Sequence, residues 1–116
     1  MKVIIAGSRN IIDYSYVENA IKESQFEITE VVSGTAKGVD RLGEHYAAVN
    51  DIKLTKFPAQ WDLYGKSAGH RRNADMATYA DALIAIWDGK SKGTKHMIEE
   101  AGKRKLNVYL KTMVRG

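Results

Sequence analysis

The chain has 116 residues, of which 44% are hydrophobic and 28% charged, with one proline, no cysteine and a formal net charge of +4. That length and balance describe one folded domain over residues 1–116, and they exclude a disordered chain, a disulfide scaffold and thiolate metal sites. No apolar run approaches the roughly 20 residues of a membrane span, and the N-terminus lacks a signal-peptide pattern, so a cytoplasmic protein with no membrane partner is expected. The charge is uneven. Residues 1–58 carry 7 basic and 8 acidic side chains, whereas residues 59–116 carry 11 and 6. A basic half fits an anionic partner, either a phosphorylated small molecule or nucleic acid. Lys103, Arg104 and Lys105, at a helix end, are explained by the helix dipole alone.

Apolar runs alternate with amphipathic ones. Residues 2–7 (KVIIAG) form a short β-branched run ending in glycine, which predicts a buried strand. Residues 15–24 predict a helix, with Ser15 and Glu18 in capping-box spacing and Val17, Ala20 and Ile21 facing inward. A second strand is expected over 28–34 and a helix over 38–49, its stripe Val39, Leu42, Tyr46 and Val49. A weaker strand follows at 54–59, closed by Pro58. Residues 60–69 predict a loop with glycine and aromatics. Residues 70–80 then predict a helix with Met76 and Tyr79 inward. Residues 81–89 (DALIAIWDG) are the most apolar run and predict a central strand. A helix over 93–105, with Met97, Ile98 and Ala101 inward, and a strand over 107–113 complete the chain.

Five strands alternating with helices predict an α/β, Rossmann-like three-layer αβα domain, its parallel sheet covered by helices on both faces. Such sheets bind ligands beyond the carboxyl ends of their strands, near the switch in strand order. The residues placed there are Gly7, Ser8 and Arg9, then Gly34, Thr35, Ala36, Lys37 and Gly38, then Asp88, Gly89, Ser91, Gly93 and Thr94. Arg71, Arg72 and Asn73 open the helix before the central strand. Glycines allow close backbone approach, helix N-termini present free N–H groups, and hydroxyls add donors, a set suited to phosphate. Tight strand-to-helix turns want glycine in any case, so two such loops facing each other carry more weight than one. No Walker pattern is present, and no G-x-G-x-x-G follows the first strand, which disfavours a P-loop NTPase and ordinary NAD binding. No cofactor is expected.

The motifs GSR (7–9), SGTAKGVD (33–40), AGHRRNADM (68–76) and ADALIAIWDGKSKGT (80–94), in this order, resemble the SLOG superfamily, named for the DNA-processing protein Smf/DprA and the LOG enzymes. The pattern is most similar to its small single-domain YspA/YpsA-related branch, over nearly all of residues 2–110. The resemblance implies a Rossmann-like fold, glycine-rich loops for nucleotides, nucleotide-derived ligands or nucleic-acid phosphates, and a possible homo-oligomer. In LOG phosphoribohydrolases, which release the base from a nucleoside monophosphate, the motif reads P-G-G-x-G-T-x-x-E. Gly89, Gly93 and Thr94 match it, and Arg72 with Met76 matches the arginine of the preceding helix. The glutamate has no match, because Met97 stands three residues after Thr94.

An N-glycosidase here would therefore need another carboxylate, Asp88 or Asp40, with Arg72 as its cation. Asp88, ending the central strand, is expected to touch ligand, for example ribose hydroxyls. Asp40, early in a helix, reads first as a dipole complement and second as catalytic. DprA carries a stretch similar to Ser33–Asp40 and binds single-stranded DNA, so Arg9, Lys37, Arg71 and Arg72 tracking a nucleic-acid backbone is a further alternative. Trp61 and Tyr64 either stack on a base or cover the sheet edge; Trp87, inside a strand, belongs to the core. His45, His70 and His96 lack metal-ligand spacing, His96 standing isolated on its helix, so no metal is expected. His70 either contacts phosphate or merely starts its helix. With no cysteine and no nucleophile elbow, covalent catalysis has no candidate. The leading expectation is a module that senses, carries or sequesters a nucleotide-type ligand.

Overall fold

The computed structural model describes residues 1–113. Five strands, β1 (Lys2–Gly7), β2 (Glu30–Ser33), β3 (Lys53–Lys56), β4 (Ala82–Trp87) and β5 (Asn107–Thr112), form one sheet in the order β3-β2-β1-β4-β5. Every pairing is parallel. The helices are α1 (Tyr14–Ser24), α2 (Val39–Val49), the single turn α3 (Trp61–Tyr64), α4 (Ala68–Tyr79) and α5 (Lys92–Lys103). None is long and apolar enough to cross a membrane.

Successive side chains of a strand point to opposite faces, and this divides the core in two. Val3, Ile5, Ile84 and Ile86 pack with Val17 and Ile21 of α1 and with Val39 and Ala47 of α2. Ile4, Ala6, Leu83 and Ala85 pack on the other face with Met76 and Ala77 of α4 and Met97 and Ala101 of α5. The result is the three-layer α/β fold. Ile4, Ile5, Leu83, Ile84 and Ile86 are completely buried, each worth about 1.5–3 kcal/mol of transfer free energy.

The middle strand is β1, with β4 beside it, although the sequence placed 81–89 at the centre. Helix α1 is capped by Asp13, whose carboxylate accepts from the Ser15 amide at 2.9 Å. The expected Ser15–Glu18 capping box therefore does not form, because the chain turns helical two residues sooner. In α2 the buried positions are Val39, Asp40, Gly43 and Ala47, while Val49 of the expected stripe is 61% exposed. Gly43 sets this rotation: a Cβ there would lie 2.9 Å from Ile5 Cβ, so its missing side chain lets the helix settle onto β1. The expected loop 60–69 instead holds α3, a 3₁₀ turn over Gly65–Ser67 and the start of α4. Arg71, Arg72 and Asn73 consequently lie inside α4 rather than at its first residues.

Candidate functional site

From β1 the chain winds to β2 and β3 on one side, and from β4 to β5 on the other. The loops after β1 and β4 therefore diverge, and a crevice opens at that switch point. Its floor is tightly sewn. The Ser8 amide donates to Ile86 O at 3.0 Å, and the Ser8 hydroxyl accepts from the Asp88 amide at 3.0 Å. Two glycines exist for this packing. A Cβ on Gly7 would lie 2.2 Å from Ile86 O, and Gly38, at φ +77°, would bring one within 2.5 Å of Ser8 O.

The turn after β2 is largely consumed by the protein itself. The Thr35 amide donates to Ser33 Oγ at 3.0 Å, and the Ala36 amide donates to Asp40 Oδ2 at 3.2 Å. Asp40 is only 5% exposed. Burial pushes its carboxyl up to about 6, against the opposing pull of the Ala36 amide, the Arg72 cation and the Gly7 amide. Gly34 lies between Asp40 and Arg72: a Cβ there would sit 2.8 Å from Arg72 Nη1 and 2.9 Å from Asp40 Oδ2.

Arg72 reaches this point from α4. Its Nη1 donates to Gly34 O, and its Nε donates to Asn73 Oδ1 at 2.9 Å. That fixes the Asn73 amide, whose Nδ2 must then donate, to Gly93 O at 3.3 Å and toward His96 Nδ1 at 3.1 Å. His96 Nδ1 is therefore the unprotonated acceptor, and its Nε2–H faces Glu100 at 3.3 Å. Burial, and next the facing His70, lower the His96 pKa. His70 stacks flat on His96, centroids 3.8 Å apart and planes within 7°. The sequence left His96 isolated on its helix. The partnership arises because α4 and α5 pack side by side, which no local spacing reveals.

The third wall is the start of α5. Asp88 Oδ1 accepts from the amides of Lys90 (2.8 Å) and Ser91 (2.9 Å), and Gly89 takes φ +82° to make the turn. These donors, that of Lys90 first, lower the Asp88 pKa. Ser91 caps the helix, its Oγ accepting from the Thr94 amide at 3.3 Å. The amides of Lys92 and Gly93 lie in the first turn, where no preceding carbonyl is available to them.

These walls enclose a cleft of about 240 Å³. Of the residues singled out from sequence, Gly7, Arg9, Ala36, Asp40, Arg72, Asn73, Ser91, Gly93 and Thr94 line it. Ser8, Gly34, Thr35, Gly38, Asp88 and Gly89 do not line it, and the Lys37 side chain is exposed. Asp88 in particular spends its carboxylate on its own loop instead of facing the cleft. Arg71 turns away, its guanidinium carbon 4.3 Å from the Tyr64 ring centroid. The lining also includes Trp61, Lys66, Gly69, His70 and Met97. Met97, at the position where LOG enzymes carry glutamate, is buried in the core beside Met76.

Residues 1–64 match the family described as YspA, cpYpsA-related SLOG (YAcAr). The chain is also 33% identical over 112 residues to the gene 61 protein of Mycobacterium phage D29, covering 88% of this chain and 89% of that protein. The chain belongs to the YspA/cpYpsA-related SLOG family. Among solved structures, this SLOG domain is similar to DNA processing protein A (DprA) from Streptococcus pneumoniae, with a TM-score of 0.75 and 22% identity. That likeness covers 94% of this chain and 49% of DprA, so the SLOG domain spans about half of that protein and shares its fold. The family match ends at Tyr64, at the end of α3. Arg72, Asn73 and the Ser91–Thr94 turn, which complete the cleft, lie beyond it.

Proposed function

We propose that this SLOG domain binds a nucleotide or nucleotide-derived phosphorylated ligand in the cleft, as a sensor, carrier or sequestering module. One observation carries the reading. The Arg72 guanidinium, held by Gly34 O and Asn73, and the open first turn of α5 line the same cleft. A fixed guanidinium and helix-end amides are complementary to a phosphate and pay no reorganisation on binding. Arg9 adds a second cation, Asp40 offers an acceptor for sugar hydroxyls, and Trp61 offers a ring for a base. The ligand phosphate rests on the α5 turn rather than on the Gly34–Gly38 turn, whose Thr35 and Ala36 amides already have partners.

The test is a thermal-shift screen of the full chain against nucleotides, cyclic dinucleotides and ADP-ribose derivatives, followed by calorimetry. A shift with a phosphorylated ligand, abolished by Arg72→Ala, is expected. Absence of a shift at millimolar concentration of every such compound refutes the reading.

A second reading, a LOG-like nucleoside 5′-monophosphate phosphoribohydrolase, is favoured by Asp40. It supplies a buried carboxylate, largely ionised at neutral pH, where Met97 cannot. Hydrolysis of an N-glycosidic bond develops positive charge on the sugar, which such a carboxylate stabilises; as the bond to the base breaks, water adds to the anomeric carbon, its proton passes to the carboxylate, and the departing base nitrogen takes up a proton from solvent. Release of free base from a nucleoside monophosphate, lost in Asp40→Asn, distinguishes this reading from binding alone.

A further inference from the structure

A second cavity of about 200 Å³ opens beside the cleft, and the two share one lining residue, Arg72. Its other walls carry Phe57, Pro58, Gln60, Tyr64 and the cations Lys56 and Arg71. Pockets for small ligands ordinarily begin at about 300 Å³; each cavity alone falls below that, and the two taken together lie within the usual range. The α3 turn gives one aromatic ring to each: Trp61 lines the cleft and Tyr64 the second cavity.

We propose that the two cavities together form a dinucleotide site, with the linking phosphodiester on Arg72 and the second nucleobase in the Tyr64 cavity. This rests on the nucleotide reading of the main cleft. The chemistry of the second cavity is that of a base pocket. Arg71 lies over the Tyr64 ring and is tied down by its Nε donating to Ser67 Oγ at 3.3 Å, which makes a flat cationic surface for stacking. The Gln60 amide offers a donor and an acceptor for a base edge. Asp75 is the acid among these lining residues. Its charge opposes a doubly charged terminal phosphate in this cavity and tolerates the single charge of a phosphodiester at Arg72.

The experiment compares, by calorimetry on the full chain, the four nucleoside 5′-monophosphates with the matching 5′-phosphorylated dinucleotides and with ten-residue homopolymers. The best dinucleotide is expected to bind about tenfold or more tightly than its mononucleotide, the usual return from one stacked base. In Tyr64→Ala and in Gln60→Ala that ratio falls toward one; both side chains are exposed, so folding is not at stake. A further rise with the homopolymers supports the two subsites and identifies their natural occupant as a segment of single strand rather than a free dinucleotide. Equal affinity for mono- and dinucleotides overturns the second subsite and leaves the nucleotide reading standing. No binding by any of these compounds overturns the dinucleotide site; if the cyclic dinucleotides and ADP-ribose derivatives also fail to bind, the nucleotide reading falls with it.

Discussion

Asp40→Asn probes the charge on which the hydrolase reading depends. In the folded protein the Asp40 carboxyl is raised from 3.8 to about 6 because it is buried. The folded state therefore holds a proton that the unfolded chain releases between about pH 4 and pH 6. Below that window the carboxyl is protonated in both states and burial is free of penalty. Above it the folded protein carries a buried charge that destabilises it by about 3 kcal/mol, at 1.36 kcal/mol per pKa unit. Asparagine keeps the oxygen that accepts from the Ala36 amide and carries no charge at any pH. The stability of Asp40→Asn relative to the parent should thus rise by about 2.5 kcal/mol between pH 4 and pH 8, the unfolded carboxyl being already more than half ionised at pH 4. Urea unfolding of both proteins at one-unit steps across that range measures it. A gap independent of pH, or one that moves in the parent's favour as pH rises, refutes the assignment of Asp40 as a desolvated carboxylate. A partner strong enough to neutralise it, with Arg72 the first suspect, would then have to be sought.

The other predictions concern the same walls. His96 should be the Nε2–H tautomer at pH 7.5, read from long-range ¹⁵N–¹H spectra; the Nδ1–H tautomer would break the deduced Arg72–Asn73–His96 order. Because the His96 pKa is lowered by burial, its contribution to stability is present above 6.5 and is lost as pH falls from there through the folded-state value. Gly7→Ala places a Cβ 2.2 Å from Ile86 O and should cost about 3 kcal/mol, the upper end for overpacking, seen as a fall of roughly 10 °C or more in Tm. Gly93→Ala, where a Cβ meets nothing within 4 Å, serves as the contrast and should lose no stability. Trp61→Ala, at a side chain 54% exposed, should leave Tm nearly unchanged while weakening ligand binding at least fivefold, measured by calorimetry.

The fold was legible because every strand but the edge ones is built on an unbroken apolar run and every long helix has an inward stripe. What failed was rotation and capping. The α2 stripe shifted because Gly43 lets the helix backbone meet the Ile5 side chain, an effect that a list of apolar residues does not contain. The α1 cap moved to Asp13 because any nearby carboxylate can cap, and spacing alone does not choose among them. Half of the site was visible as turn residues at strand ends, since Arg9, Asp40 and Ser91–Thr94 follow strands directly. The rest was hidden for two reasons. Lys66 reaches the cleft from the 3₁₀ turn after α3, which has too few residues to show a period, and for Trp61 on α3 the sequence left stacking on a base and covering the sheet edge as equal alternatives. Asp88 and Thr35 looked like ligand donors and acceptors, yet their loops satisfy their own hydrogen bonds before any ligand arrives.

The clamp that Asp88 makes on the Lys90 and Ser91 amides has a consequence for timing. A loop that orders itself around its ligand loses conformational entropy on binding, and its association waits for the competent conformer to appear. Here the carboxylate has ordered the turn before encounter, Gly89 absorbing the positive φ that this requires. On the proposed nucleotide reading, the α5 end meets its ligand already ordered, so diffusion and charge govern the capture rate, and the lifetime of the complex becomes the quantity that distinguishes one ligand from another.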